Sequence, residues 1–154
     1  CVIIQAVLEH VISPHQVVSE IHRVLSDNSI VYSEVPFIQS VHEGPFDFTR
    51  FTHSGHQLLF SDFRIISTGV HHGPTQSLLF IASHYMQLIF GKISRLVFYS
   101  VFARTSRFID SNLFSDSKLV DIACGTYIFA QKCGNYVVPR CTVASIKSLY
   151  NGRQ

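Results

Sequence analysis

The sequence predicts an α/β fold built on a strand, a helix and a second, parallel strand, and three observations indicate it. Residues 1–4 are an uninterrupted apolar run, which is typical of a buried parallel strand. Residues 13–25 carry apolar side chains at helical spacing, and residues 30–35 read as a second strand that Pro36 ends. Elements in this order and at this spacing form a right-handed crossover.

The first helix is predicted to begin at Ser13-Pro14, because serine caps free backbone N–H groups and proline suits the first helical position. It ends near Leu25, ahead of a turn over residues 26–29. Its buried stripe is predicted from the apolar positions that recur at helical spacing, namely Val17, Ile21, Val24 and Leu25.

Further along, a short helix is predicted over residues 52–60 with Thr52 as its cap, followed by a strand over residues 63–68 that breaks at Gly69. A last strand over residues 127–132 is expected to run antiparallel to it. The tail, residues 134–154, is predicted to contain a short helix over residues 144–150, and no role is assigned to it.

Residues 77–104 form a long apolar stretch with a thin polar stripe at helical spacing. Lys92 and Arg95 interrupt it, and such charges are costly inside a bilayer, so a membrane-spanning helix is not predicted. A helix pair packed on the protein is expected, and an amphipathic helix lying on a membrane surface is the alternative.

Composition favours one globular unit and excludes several function classes. The chain has 154 residues, 47% of them hydrophobic, and a formal charge of +2 with scattered basic residues, which gives no footprint for nucleic acid. Its four cysteines show no CxxC pair, which argues for a reducing compartment. The pairs His53-x-x-His56 and His71-His72 lack further ligands at short spacing, so no metal site is predicted.

Several sequence motifs resemble those of class I S-adenosylmethionine-dependent methyltransferases. Residues 5–11 with Pro14 and residues 20–25 are similar to the fourth strand and following helix of that family. Residues 34–55 and residues 121–127 are similar to one bacterial-type branch of the family. Within residues 34–55, the shared positions are Glu34 to Phe37, His42, Glu43, Pro45, Asp47, Phe48, Arg50 to Thr52 and Gly55. The resemblance covers about two thirds of the chain.

The resemblance implies a partial Rossmann-like methyltransferase fold, with strands four to seven, flanking helices and a helical insertion over residues 76–120. It also implies S-adenosylmethionine as the cofactor, with its methionine and sulfonium end lined by Gln5, Ala6 and Leu8 at the tip of strand four. Glu9 and His10 begin the next loop, and either contact the cofactor or fix the loop by a hydrogen bond.

The chain departs from the family in two places. The usual Pro-Gly-Gly turn is replaced by residues 26–29, and the glycine-rich cofactor loop and the acidic ribose ligand are missing. Residues 1–133 are therefore expected to be the C-terminal half of a methyltransferase-like domain from a longer protein. This piece alone is expected to be inactive and to expose residues 1–4 at the edge of its sheet.

The segment from Phe37 to Thr52 is the candidate site, because it concentrates charges in a chain that is only 14% charged. It follows a predicted strand, and ligands bind at the carboxyl edge of open α/β sheets. His42 is the candidate general base, with Asp47 or Glu43 as its orienting partner. Alternatively, Asp47 and Arg50 form an ion pair that only fixes the loop.

Aromatic and charged neighbours complete the predicted substrate site. The acceptor is expected to contact Phe37, Glu43 and Arg50. The walls of the pocket are expected to include Phe37, Phe46 and Phe48; alternatively, these three rings belong to the ordinary hydrophobic core. The acceptor is expected to be a small molecule or a glycan- or lipid-linked group. The protein is expected to be cytoplasmic, with peripheral contact to a membrane as a further expectation. The competing hypothesis is a non-catalytic, methyltransferase-like scaffold or a membrane-surface module.

Overall fold

The computed structural model describes residues 1–113 and 119–134. In chain order, its regular elements are β1 (Val2–Gln5), α1 (Pro14–Val24), β2 (Ile30–Pro36), α2 (His53–Leu59), β3 (Arg64–His72), α3 (Pro74–Phe90), α4 (Lys92–Leu113) and β4 (Gly125–Gln131). The helix predicted over residues 144–150 lies outside the described residues.

The described strands form one four-stranded mixed sheet in the order β1-β2-β4-β3. β1 and β2 are parallel with Val2 opposite Val31, so the predicted strand, helix and parallel strand are confirmed. β4 runs antiparallel to both β2 and β3, which confirms the predicted pairing of the last strand with β3. This α/β arrangement is consistent with a partial Rossmann-like fold.

The first strand is only half buried. Ile4 lies in the core at 5% exposure, whereas Ile3 is 70% exposed. β1 is thus the predicted parallel strand without the predicted burial, because it pairs with β2 on one side and with no described strand on the other. Residues 1–4 lie at the edge of the sheet, as expected for this piece alone.

The helix α1 begins at Pro14 as predicted, but the side chain of Ser13 makes no capping hydrogen bond. Its most buried aliphatic residue is Val18 at 3% exposure, and Val24 is 63% exposed. The predicted place of Val24 in the buried stripe is wrong, because Val24 lies on the flank of a stripe that is centred on Val18, Ile21 and Leu25.

The strand β3 continues through Gly69 to His72, so the predicted break at Gly69 is wrong. Gly69 pairs with Tyr127 of β4, and a β-carbon on Gly69 would lie 3.1 Å from Cε1 of the Tyr127 ring. The glycine thus makes room for a ring across the sheet, which is a recognised use of glycine within a strand.

The predicted helix pair is confirmed, and α3 and α4 are separated by Gly91 at a φ of 86°. At the base of the pair, Ser77 Oγ donates to the carbonyl of Ile122. At the far end, Leu88 and Ile93 are 82% and 77% exposed. Within the described residues, no helix is both long and apolar enough to cross a bilayer.

Candidate functional site

A cavity of about 360 Å³ opens where β1 and β2 end, at the edge of the sheet where parallel strands commonly bind ligands. The loop after β2 and the base of the α3–α4 pair close its sides. Its lining residues are Gln5, Ala6, Glu9, Glu34, Val35, Pro36, Gln39, His42, His71, His72, Gln76, Phe80, Tyr99, Cys124 and Gly125.

The loop that carries His42 is held against the start of the chain by backbone hydrogen bonds. The N–H groups of Phe48 and Thr49 donate to the carbonyl of Glu9 at 2.8 and 3.3 Å. At the other end of the loop, the N–H of Phe37 donates to the carbonyl of Cys124 at 2.8 Å. The loop is therefore fixed over the segment that connects β1 to α1.

Asp47 and Arg50 form the ion pair that the sequence suggested. Both guanidinium Nη atoms of Arg50 donate to the carboxylate of Asp47, whose side chain is fully buried. The hydrogen bonds from Arg50 lower the pKa of Asp47 to about 2, so Asp47 is ionised at neutral pH. Arg50 also donates to the carbonyl of Gln39 at 3.3 Å, which ties the two arms of the loop together.

The same carboxylate orients His42. Asp47 Oδ2 accepts the backbone N–H of His42 at 3.1 Å and lies 3.4 Å from Nδ1 of the His42 ring. The two roles predicted for Asp47, loop fixing and orientation of His42, thus coexist in one side chain. The other ring nitrogen of His42, Nε2, faces His10 and Glu9.

Glu9, His10 and His42 form a compact cluster at one wall of the cavity. The Nε2 atoms of the two histidines are 3.1 Å apart, and Glu9 Oε1 lies 3.7 Å from His10 Nε2 and 4.0 Å from His42 Nε2. The side chain of Glu9 is fully buried, and within residues 1–113 and 119–134 neither of its carboxyl oxygens has a hydrogen-bond partner. Burial raises the pKa of Glu9, because a charged carboxylate is poorly stabilised away from water.

A second carboxylate, Glu34 on β2, lies on another wall of the cavity. Gln5 Nε2 donates to Glu34 Oε2 at 2.7 Å, the hydroxyl of Tyr32 donates to Oε1, and His71 Nδ1 lies 3.2 Å from Oε1. Burial, together with the hydrogen bond to Glu34, raises the pKa of Tyr32 to about 12, so the phenol remains protonated. The cavity therefore has acidic groups on two sides.

The predicted cofactor residues are not all at the cavity. Gln5, Ala6 and Glu9 line it, and His10 contacts it through His42. Leu8, by contrast, is fully buried in the hydrophobic core.

The predicted substrate residues also divide. His42 lines the cavity, and Arg50 lies behind it as the partner of Asp47. Phe37 lines a separate, smaller cavity beside Thr52 and His53, and Glu43 is exposed outside both. Phe46 and Phe48, expected in a pocket wall or the core, are 65% and 48% exposed and line neither cavity.

Residues of β3, α3 and α4 and the residue just before β4 complete the cavity, and the sequence alone indicated no role for them: His71, His72, Gln76, Phe80, Tyr99 and Cys124. Burial raises the pKa of Cys124 to about 11, so this cysteine is a thiol at neutral pH and a poor nucleophile. Glu34 is the only charged residue of β2, and this was the local signal that pointed to the second acidic wall.

Comparison with known proteins assigns no family. No protein-family model matches the chain, and no curated protein matches it. Among solved structures, the [4+2]-cyclase SpnF is similar at 12% identity and a TM-score of 0.39, over 85% of this chain and 49% of that one. The chain thus spans about half the length of that structure, and a likeness at this level carries no functional argument.

Proposed function

We propose that this chain is the acceptor-side half of an S-adenosylmethionine-dependent methyltransferase. The observation that carries the proposal is the cavity where β1 and β2 end, which is lined by Gln5, Ala6 and Glu9, three of the residues that the family resemblance assigns to the cofactor. The sheet supports it as well, since two parallel strands are followed by an antiparallel hairpin with a helical insertion, as the resemblance implies.

The residues present fit one end of the cofactor. Its sulfonium and α-ammonium groups are cationic, and the buried, unpartnered carboxylate of Glu9 together with Glu34 supplies negative charge on two walls of the cavity. The adenosine end finds no glycine-rich turn or ribose-binding acid in this sequence. We therefore place its binding residues on a segment that pairs with the open edge of β1.

When bound, the cofactor supplies an electrophilic methyl carbon. The protein must then align the acceptor in line with that carbon and remove a proton from it. His42 accepts this proton at Nε2, and the ionised Asp47 stabilises the resulting imidazolium through Nδ1. The cavity size suits a small acceptor or the reacting end of a glycan- or lipid-linked one.

Calorimetric titration with S-adenosylmethionine tests this proposal. A longer form of the protein that completes the sheet beside β1 should show saturable binding, weakened at least about tenfold in Glu9→Gln. Glu20→Gln, on the exposed face of α1, is the matched control and should bind like the parent. Absence of saturable heat in the longer form would favour the non-catalytic scaffold instead, and binding by residues 1–154 alone would contradict the assignment of the adenosine end.

A specific observation favours a second, compatible function, which is contact with a membrane surface through the α3–α4 pair. Large apolar side chains cluster at its far end, where Leu88, Phe90, Ile93 and Leu96 are each at least 66% exposed. Residues 74–109 contain four basic residues and no acidic one, which suits an anionic lipid surface. In co-sedimentation, vesicles with anionic lipid should pellet the protein, and Leu88→Ser with Ile93→Ser should abolish pelleting; equal, negligible pelleting by all vesicles would exclude this role.

A further inference from the structure

We propose that Glu9, His10 and His42 form a binding site for one divalent transition-metal ion. The inference rests on the geometry of these side chains and does not depend on methyl transfer. Glu9 and His10 lie in the short 3-10 turn after β1, and His42 lies in the loop after β2. The site therefore joins two segments that are far apart in the sequence.

The distances suit a single ion. Glu9 Oε1 and the Nε2 atoms of His10 and His42 all lie within 4.8 Å of one another, with separations of 3.1, 3.7 and 4.0 Å. The nearest point equidistant from the three atoms is about 2.1 Å from each, which is the bond length that zinc makes to histidine nitrogen and carboxylate oxygen.

Both histidines are oriented from behind, as metal-binding histidines usually are. His10 Nδ1 lies 2.8 Å from the carbonyl of Phe46, which accepts its N–H and leaves the lone pair of Nε2 directed at the cluster. His42 Nδ1 faces Asp47, which Arg50 holds in place. A carbonyl and a carboxylate thus fix the ring positions and the tautomers that coordination requires.

Among the described residues, the carboxylate of the cluster also lacks a hydrogen-bond partner. Glu9 is fully buried, and neither of its carboxyl oxygens is hydrogen-bonded to a described residue, which is costly unless a cation or a proton is supplied. Two histidine nitrogens that face one another at 3.1 Å need a shared proton or a shared ion between them. One metal ion would satisfy all three groups at once.

The three protein ligands indicate which metal ions the site prefers and which further ligand the ion can bind. Two imidazoles and one carboxylate suit Zn²⁺, Fe²⁺, Co²⁺ or Ni²⁺ more than Mg²⁺ or Ca²⁺, which prefer oxygen ligands. Glu9 and His42 line the cavity, so the remaining coordination positions face its interior and are open to an oxygen donor. With the ion bound, His42 Nε2 would be a ligand and could not act as the base described above. The ion would instead lower the pKa of the oxygen donor bound to it, and the proton of that donor would pass to solvent water.

Cobalt titration of the chelator-treated protein tests the site. We expect one equivalent of Co²⁺ to bind with the visible absorption of a low-coordinate site, and to raise the melting temperature, because the ion joins the loop to the β1–α1 connection. Glu9→Gln and His42→Gln should each weaken binding at least about tenfold, since each removes a ligand. His15→Gln, an exposed histidine on α1, is the matched control and should bind like the parent.

Thermal melting without metal checks that the variants fold. The melting temperature of Glu9→Gln should equal or exceed that of the parent protein, because the substitution removes a buried carboxylate that has no hydrogen-bond partner among the described residues. Asp47→Asn provides a second, independent variant, and it should weaken Co²⁺ binding while leaving one equivalent bound. If the parent binds no Co²⁺, or if Glu9→Gln and His42→Gln bind it as tightly as the parent, the proposal is wrong.

Discussion

Ser33 on β2 and His56 on α2 are joined inside the core by a hydrogen bond of 3.0 Å between Ser33 Oγ and His56 Nε2. The other nitrogen of the ring, Nδ1, lies 3.1 Å from Thr126 Oγ1 on β4. One histidine thus connects a helix to two adjacent strands. Burial lowers its pKa to about 3, so the ring is neutral in the folded protein at any pH near neutrality.

This histidine should make folding sensitive to acid. In the unfolded chain His56 binds a proton near its ordinary pKa of 6.5, whereas in the folded protein it does so only near 3. The unfolded state therefore gains protons first as the pH falls through this window, and His56 lowers the free energy of unfolding by up to about 1.4 kcal/mol per pH unit. Above pH 6.5 this effect disappears.

Urea denaturation at several pH values between 4.5 and 7.5 measures the effect. The free energy of unfolding should fall less steeply toward acid in His56→Gln than in the parent protein. The difference in slope should correspond to about one proton fewer taken up on unfolding. His15→Gln, which changes an exposed histidine, should retain the parent slope. Equal slopes for all three proteins would mean that His56 is protonated in the folded state.

Asp47→Asn should destabilise the protein by roughly 1–3 kcal/mol, because it leaves the guanidinium of Arg50 without its charged partner. The pKa of Asp47 is lowered to about 2, so its stabilising effect is complete above pH 4 and is lost as the pH falls toward 2. Glu20→Gln is the control. Glu20 forms an ion pair with Arg23, also three residues away but on the surface, so this substitution should leave the free energy of unfolding almost unchanged. Chemical denaturation at pH 7 compares the two.

Asp110→Ala should cost about 1–2 kcal/mol, because Asp110 of α4 caps the start of α3. Its two carboxyl oxygens accept the N–H groups of Thr75 and Gln76 at 2.9 and 3.2 Å, while Gly73 at the cap position offers no side chain. Ser111→Ala, one residue further along, should be near neutral. Hydrogen exchange at the first turn of α3 should rise in Asp110→Ala alone, and an unchanged rate would contradict the capping role.

Ile3→Lys should reduce association of residues 1–154, because Ile3 is 70% exposed on the edge strand β1 and a charge there discourages strand pairing. Ile4→Lys, one residue away, places a charge in the core and should prevent folding. Sedimentation velocity should show more monomer for Ile3→Lys than for the parent. A parent chain that is already monomeric would contradict the expected association.

Residues near the start of α1 and α2 were enough to predict where these two helices begin. Pro14 at the first turn of α1 and Thr52, whose Oγ1 accepts the N–H of Gly55 at 3.1 Å, place both helix starts correctly. The end of β3 was misjudged, because the suitability of Gly69 for a strand depends on Tyr127, a residue 58 positions away. Propensity rules do not include a ring from another strand.

The candidate site shows the same limit. The loop after β2 and the pairing of Asp47 with Arg50 were predicted from charge density and spacing, since both lie within one segment. The cluster of Glu9, His10 and His42 was not, because a spacing rule detects ligands close in sequence and His42 is 32 positions from His10. Only the sheet, by setting β1 beside β2, brings these side chains together.

The position of β4 has a consequence for the order in which the chain folds. The β1–α1–β2 unit uses contacts within the first 36 residues, so it can form early. β2 and β3 are not neighbours in the sheet, and β4 joins them, with Ile30 and Arg64 both opposite Gln131. During synthesis, the sheet therefore cannot be completed until the ribosome has released the chain beyond Gln131. The helical pair is made while β3 has no partner and β2 is paired with β1 alone.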